Sequence, residues 1–510
     1  MQMGIHKRVK KAMTTLLSGV LTFGMVAGVI PAVPEDRLQV QAATGKEPSM
    51  TAYATKEQLM NETYKDSSSG EYRHDCMLIF GRNNEGKDQK WYIIGKDDGI
   101  SGDNIALFAA DSIATNVIFN PVYDFSKNPK SYQKEYGTYT DGLEDPSNVP
   151  SSHYGASELR AKLQEIASDE DYFSVAEQCI MQETKTFNYD NECNDIDNKW
   201  RTYTTTDKLY ALHGDWGMEV LYAGSIAGSG IRLGMTYYWN NSDSFWLRES
   251  SHPNTTQVLV ANPGVKGNDC VDYIKIDNKS AIRPATNLNL TNVLFSSSAQ
   301  AATTNKNVYE TIAKDTAMTL RLNGENKDIG TVTCNTEKGQ IIAQRGSTSG
   351  NVSLIVQGND GTNDWYYSKQ ISGTDKVIIN DADLIMDEGA QSNIDFTNCK
   401  IWLETTEDRV TYAVEATPTD DVVITDILTV NITDIEKPVS NVELDTSAEC
   451  AIKGVKSTAP VVTWTPDDST AKYNTSYTAS VTITPYASYQ FPENMSVKVD
   501  GEPATKITHN

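Results

Sequence analysis

The sequence predicts a multidomain chain, an α+β domain followed by two β-sandwich modules. Three observations point there. At 510 residues the chain exceeds one compact domain and suits about three. Its text mixes capped helices with apolar strands up to about residue 298, then turns wholly strand-like from about 305. Ile435-Glu436-Lys437-Pro438 punctuates a further boundary ahead of the last stretch, 439–510.

The chain opens with Lys7, Arg8, Lys10 and Lys11, an apolar run over 12–33, and then Val40-Gln41-Ala42 and Ala43. A basic start, an apolar centre and a small-residue end predict a secretory signal peptide over 1–43, cleaved after Ala42 or Ala43. The run is about long enough to span a bilayer, but Gly19, Gly24, Gly28 and Pro31 interrupt it. No later stretch is as apolar. The expectation is an exported chain, secreted or cell-surface associated, with no integral membrane segment after cleavage. Removing 1–43 leaves 39 basic against 66 acidic residues, a formal charge of −27. That charge argues against nucleic acid or anionic membrane as partner, because both need a basic footprint.

Residues 44–71 read as a polar linker holding one short helix. Thr55 and Gln58 make a capping box ahead of Leu59 and Met60, and Ser67-Ser68-Ser69-Gly70 breaks the pattern. In the first domain, 72–298, strand text appears at 76–81, 91–95 and 105–110. Ser157 caps a helix over 158–166 whose Leu159, Leu163 and Ile166 share one face. Ser174 and Glu177 form a second capping box for a run to Met181. Strands return at 209–212, 245–248, 257–260 and 271–276, so helices on an antiparallel sheet are expected. The second domain, 305–434, carries strands at 319–322, 352–357, 365–367, 376–379, 400–404 and 410–414, the spacing of a β-sandwich. The last module, 439–510, offers strands at 461–464, 477–483 and 495–499. Asp500-Gly501 suits a type I′ hairpin turn, and the size is adequate for a small immunoglobulin-like sandwich.

The seven cysteines are scattered and show neither the density of a disulfide scaffold nor zinc spacing. Cys334 and Cys399 fall in one β-domain, where they either pair or stay isolated buried thiols.

The first domain carries an ordered set of phrases. They are Trp91-Tyr92-Ile93-Ile94-Gly95, Tyr154-Gly155-Ala156-Ser157-Glu158-Leu159-Arg160, Asp207-Lys208-Leu209-Tyr210-Ala211-Leu212, Phe245-Trp246-Leu247-Arg248-Glu249-Ser250 and Ala281-Ile282-Arg283-Pro284-Ala285-Thr286-Asn287-Leu288. This order resembles the domain of unknown function 6273 family of exported Gram-positive proteins. More loosely, it resembles the distal part of C-type-lectin-like and formylglycine-generating-enzyme-like folds. The last module is similar to bacterial immunoglobulin-like repeats through Trp464-Thr465-Pro466, Tyr477-Thr478-Ala479 and 497–501. These resemblances imply location and fold rather than activity.

Arg248 and Arg283 sit on apolar strands, where an unpaired charge is costly. They are read as structural forks rather than a ligand-binding pair. Aromatics crowd Tyr237-Tyr238-Trp239-Asn240-Asn241, near Trp200 and Trp216. Aromatic faces flanked by amides suit sugar rings. The expected ligand site therefore comprises Tyr238, Trp239, Asn240, Asp243 and His252, on turn-rich segments flanking the strand at 245–248.

No cofactor is expected, with calcium as the alternative. Oxygen-rich text at 188–192 and 194–198 suits calcium, but the glycine an EF-hand needs is missing, so a solvated acidic loop is the favoured reading. The glycines of 224–230 lack the Lys-Ser or Lys-Thr of a phosphate loop, and neither HExxH nor GxSxG occurs. His213 beside Asp215 reads as a loop hydrogen bond. The expected function is a non-enzymatic binding protein for a glycan or an extracellular host or envelope protein. The alternatives are a glycan-active or formylglycine-generating-like enzyme, or a purely architectural envelope protein.

Overall fold

The computed structural model describes residues 52–61, 65–66, 72–73, 77–121, 138–139, 152–189, 202–214, 221–223, 231–233, 243–250, 257–262, 271–304, 306–313, 316–386 and 394–508. The chain is mostly β, with several sheets around separate cores. The expected signal peptide, residues 190–198 of the expected acidic loop, the glycines of 224–230, and Trp200 and Trp216 lie outside the described residues.

In the first domain the central strand is Asn104–Ala109, buried at every position. It lies in a six-stranded sheet between Asp88–Gly95 and Ala285–Asn289. Its side chains alternate between two cores, as period-two geometry requires. Ile105 and Leu107 join Trp91, Ile93 and Trp246 under helix Glu158–Ser168, which contributes Leu159, Leu163 and Ile166. Ala106 and Phe108 face Phe245, Leu247, Leu259 and Val271 of a five-stranded sheet. A strand buried on both faces reads as a continuous apolar run, which is how 105–110 reads. Ser157 caps the helix, accepting from Arg160 N at 3.0 Å. The Ser174–Glu177 capping box closes around helix Val175–Ile180.

Gly81 shows why strand Met77–Arg82 needs glycine where its register shifts. Its φ is +71°, and a Cβ there would meet the Phe173 ring at 2.4 Å. Its N–H donates to the buried Glu177 carboxylate at 2.9 Å.

The second unit is a sandwich of an eight-stranded and a four-stranded sheet. Val332, Cys334, Ile341 and Ala343 face Leu354, Val356, Trp365, Tyr367 and Leu403 across its core. Its extent differs from the expected 305–434. Strand Val293–Ser297 pairs with Thr319–Asn323, and Tyr53–Thr55 pairs in turn with Val293–Ser297. The segment read as a linker therefore contributes a strand to the sandwich sheet. Its helix, Lys56–Asn61, is capped as expected: Thr55 N donates to Gln58 Oε1 at 2.8 Å, and Gln58 N to Thr55 Oγ1 at 3.2 Å. At the other end, Thr429–Ile432 pairs in parallel with Ser496–Val499, so these residues belong to the last module rather than to the sandwich. Strand pairing thus crosses the expected boundary at both ends of the sandwich.

The first domain and the sandwich share a core. Leu320, Leu322 and Val410 join Leu78 and Phe80, and Ile79 N and Met318 N make backbone bonds across the joint at 2.8 Å each. The turn Asp408–Arg409, both residues at positive φ, plugs into helix Val175–Ile180. Asp408 Oδ2 accepts from Ala176 N at 3.1 Å, and Arg409 pairs with Glu177 at 3.1 Å. A small cavity lies beside this ion pair, lined by Phe80, Ile180, Leu320 and Leu322. Buried Arg321 ties the sheet together, donating to Glu404 Oε2 at 3.0 Å and to the carbonyls of Ser297 and Ala299 at 2.7 and 2.6 Å.

The last module closes around Val430, Ile432, Val462, Trp464 and Tyr489, joined by Ala382 of the sandwich. The hairpin at Asp500-Gly501 has φ of 49° and 86°, the two positive values a type I′ turn demands.

Candidate functional site

Of the expected site residues, Asp243 is described and is exposed, just before strand Phe245–Ser250. Tyr238, Trp239, Asn240 and His252 lie outside the described residues. The strand fixes one distance relevant to the site. Asp243 precedes its first residue and Ser250 is its last, which separates them by roughly 20 Å at the rise of an extended chain. The segments expected to flank one concavity thus leave opposite ends of this strand. Next to Asp243, Ser244 Oγ donates to Asn262 Oδ1 at 2.6 Å.

The phrases of the first domain are bonded to one another. Arg160, from the second phrase, is buried and holds Asp207, from the third. Its Nε lies 2.9 and 3.0 Å from the two carboxylate oxygens, and its Nη2 is 2.7 Å from Oδ1. Arg160 Nη1 also donates to Gly155 O at 3.0 Å. Burial pushes the Asp207 carboxyl up, and the Arg160 guanidinium opposes that shift. Arg248, in the fourth phrase, donates through Nη1 to Ala211 O of the third at 2.7 Å. Arg283, in the fifth, donates to the carbonyls of Ala109 and Ala110 at 2.8 to 3.0 Å, with its guanidinium 4.7 Å above the Phe108 ring. Trp246 is buried, its indole N–H bonded to Val117 O at 2.7 Å. Both arginines are forks that tie carbonyls together, as their strand context suggested.

One polar pair in these phrases reaches toward solvent. His213 opens the small sheet His213–Gly214, Leu221–Ala223, Ile231–Leu233, and its side chain is 20% exposed. Its Nδ1 is hydrogen-bonded to Glu249 Oε1, and Asp215, the partner the sequence suggested, lies outside the described residues. Glu249 is buried, and its second oxygen accepts from Gly214 N at 2.9 Å. Arg248 Nε lies 3.6 Å from the same carboxylate. A signal for this pairing was present. Glu249 continues the inward face of Phe245 and Leu247, and an acid at the buried end of an apolar strand must find a partner. The carboxylate fixes the imidazole in one orientation.

Among the described residues, no group of three or more His, Cys, Asp or Glu is placed to hold a metal ion. No described helix is long and apolar enough to cross a membrane. Of the four first-domain cysteines, Cys179 is described and exposed, while Cys76, Cys193 and Cys270 lie outside the described residues. No family model, no curated protein and no solved structure matches the chain.

Proposed function

We propose that the chain is an exported, non-enzymatic binding protein, secreted or held at the cell surface. Its first domain recognises a glycan or an extracellular protein. The sandwich and the last module carry that domain away from the point of attachment. In this reading the first domain is a distant C-type-lectin-like fold of the domain of unknown function 6273 type, and the last module is immunoglobulin-like. Neither calcium nor another cofactor takes part.

One observation supports the reading most directly. The buried members of the phrases are consumed in holding the domain together, while His213, oriented by Glu249, stays partly exposed. An oriented imidazole suits a sugar's hydroxyl edge, and the aromatic side chains expected of the site suit its apolar face. The test is a glycan array and a capture screen against extracellular host and envelope proteins, both run with the full chain. A ligand lost on His213→Ala and on Trp239→Ala supports the reading. Silence in both screens ends it.

A purely architectural role is the second reading. It is favoured by the burial of Trp246, Arg248 and Arg283 and by the core shared between the first domain and the sandwich. It predicts stable incorporation into an envelope assembly with no ligand for the first domain.

A further inference from the structure

Two cysteines flank the corner where the sandwich closes. Cys334 is buried in strand Gly330–Asn335 of the four-stranded sheet and shares the core-facing side with Val332. Cys399 immediately precedes strand Lys400–Glu407 of the eight-stranded sheet. It is half-buried and packs on the same core, in register with inward-facing Ile401 and Leu403. The two strands approach each other directly.

The chain crosses between the sheets at this point. Ala416 N donates to Ile401 O at 2.8 Å, after which Thr417 and Pro418 pair in parallel with Thr333 and Cys334. Thr419 N then donates to Cys334 O at 3.1 Å. Cys334 and Cys399 thus flank one short crossover and point into one core. The Cys399 thiol also feels the Cys334 sulfur electrostatically. Both thiols are unbridged in this structure.

We propose that Cys334 and Cys399 form a disulfide when the chain meets an oxidising environment, a covalent staple across the open corner of the sandwich. This is independent of any ligand for the first domain. The co-reactant is an external disulfide of the glutathione class. The Cys399 thiolate, from the more exposed residue, attacks one sulfur of that disulfide, forming a mixed disulfide and releasing one thiol. The Cys334 thiolate then attacks the Cys399 sulfur and releases the second thiol. The protons of the two cysteines end on the two released thiols, and two electrons reduce the external disulfide.

Burial pushes the Cys399 thiol up to about 12 and the Cys334 thiol up to about 11. Both are protonated at neutral pH, so exchange in the folded chain is slow, and the bond forms as the sandwich assembles. The closed loop spans about 65 residues, in the range where a cross-link removes much denatured-state entropy.

The test begins from the full chain, denatured and reduced, refolded in a mixture of reduced and oxidised glutathione. It is then acid-quenched and alkylated with a maleimide in denaturant. The expected result is that Cys334 and Cys399 escape alkylation and appear as one cross-linked peptide pair, lighter by two hydrogens than the separate peptides. The sandwich transition should melt at least ~5 °C above that of the dithiothreitol-treated chain. Cys399→Ser, at a half-exposed position, should abolish that redox dependence. Alkylation of both residues in the refolded, oxidised chain, or a bridge from either to a different cysteine, overturns the proposal. The mass measurement on the unaltered chain decides even if the variant folds poorly.

Discussion

Replacing Arg160 with methionine probes the network that joins the phrases of the first domain. The substitution keeps much of the side-chain volume and deletes the guanidinium. Three short contacts to Asp207, at 2.7 to 3.0 Å, and one to Gly155 O are lost. Arg160 is 4% exposed and Asp207 1%, so water cannot replace them. Breaking a buried ion pair by removing one partner costs about 3–5 kcal/mol. For a unit of this size that lowers the first-domain transition by roughly 10 °C. The orphaned carboxyl takes up a proton more readily than before. With the folded pKa raised, the deficit should be smallest at acid pH and grow as the pH rises. Urea unfolding followed by tryptophan fluorescence reads this directly, because Trp91 and Trp246 lie in the core beneath the Arg160 helix. The double variant Arg160→Met, Asp207→Leu should recover most of the loss, since it leaves no buried charge. A single variant within ~1 kcal/mol of the parent, or a double variant no better than the single, would refute the reasoning.

Three further outcomes follow from the joints between units. Leu59→Ala removes the fully buried side chain of helix Lys56–Asn61 and should cost about 2–5 kcal/mol in chemical denaturation, whereas a true linker residue would cost nothing measurable. Arg409→Ala leaves buried Glu177 without its cation and should destabilise the joint between first domain and sandwich by about 1–3 kcal/mol, seen as two separated thermal transitions in place of a coupled one. At the joint with the last module, burial and then the charges of Asp383 and Asp395 push the Asp381 carboxyl up from 3.8 to about 6. The stability it contributes is present below about pH 4 and lost as the pH rises through about 6, so the calorimetric transition of that joint should fall across this window, and Asp381→Asn should flatten the fall.

Local signals in the sequence translated well. The caps at Thr55, Ser157 and Ser174 depend on contacts three residues apart, and the Asp500-Gly501 turn on two backbone angles, so each was legible without knowledge of the rest of the chain. The unit boundaries depend on pairing between distant segments. Val293–Ser297 reads as the end of the first domain by proximity and joins the sandwich through Thr319–Asn323. Thr429–Ile432 precedes the Pro438 punctuation and joins the last module through Ser496–Val499. Strands Gly330–Asn335 and Gln340–Arg345 give weak signals, the first because threonines and an asparagine surround Val332 and Cys334, the second because it holds a short run of Ile341, Ile342 and Ala343 between polar ends. The forks Arg248 and Arg283 were legible because a charge on an apolar strand has few places to go. The bond from His213 to Glu249 spans 36 residues, a separation that no local signal covers.

The central claim is that the phrases build the scaffold while recognition resides beside them. Equilibrium binding of the ligand selected in the screens, measured with thermal stability on the same samples, tests it most directly. His213→Ala and Trp239→Ala should each lower affinity at least tenfold with the melting temperature unchanged, and Arg160→Met should lower the melting temperature while the fraction still folded binds normally. Undiminished binding by both His213→Ala and Trp239→Ala, or lost binding by folded Arg160→Met, would contradict it.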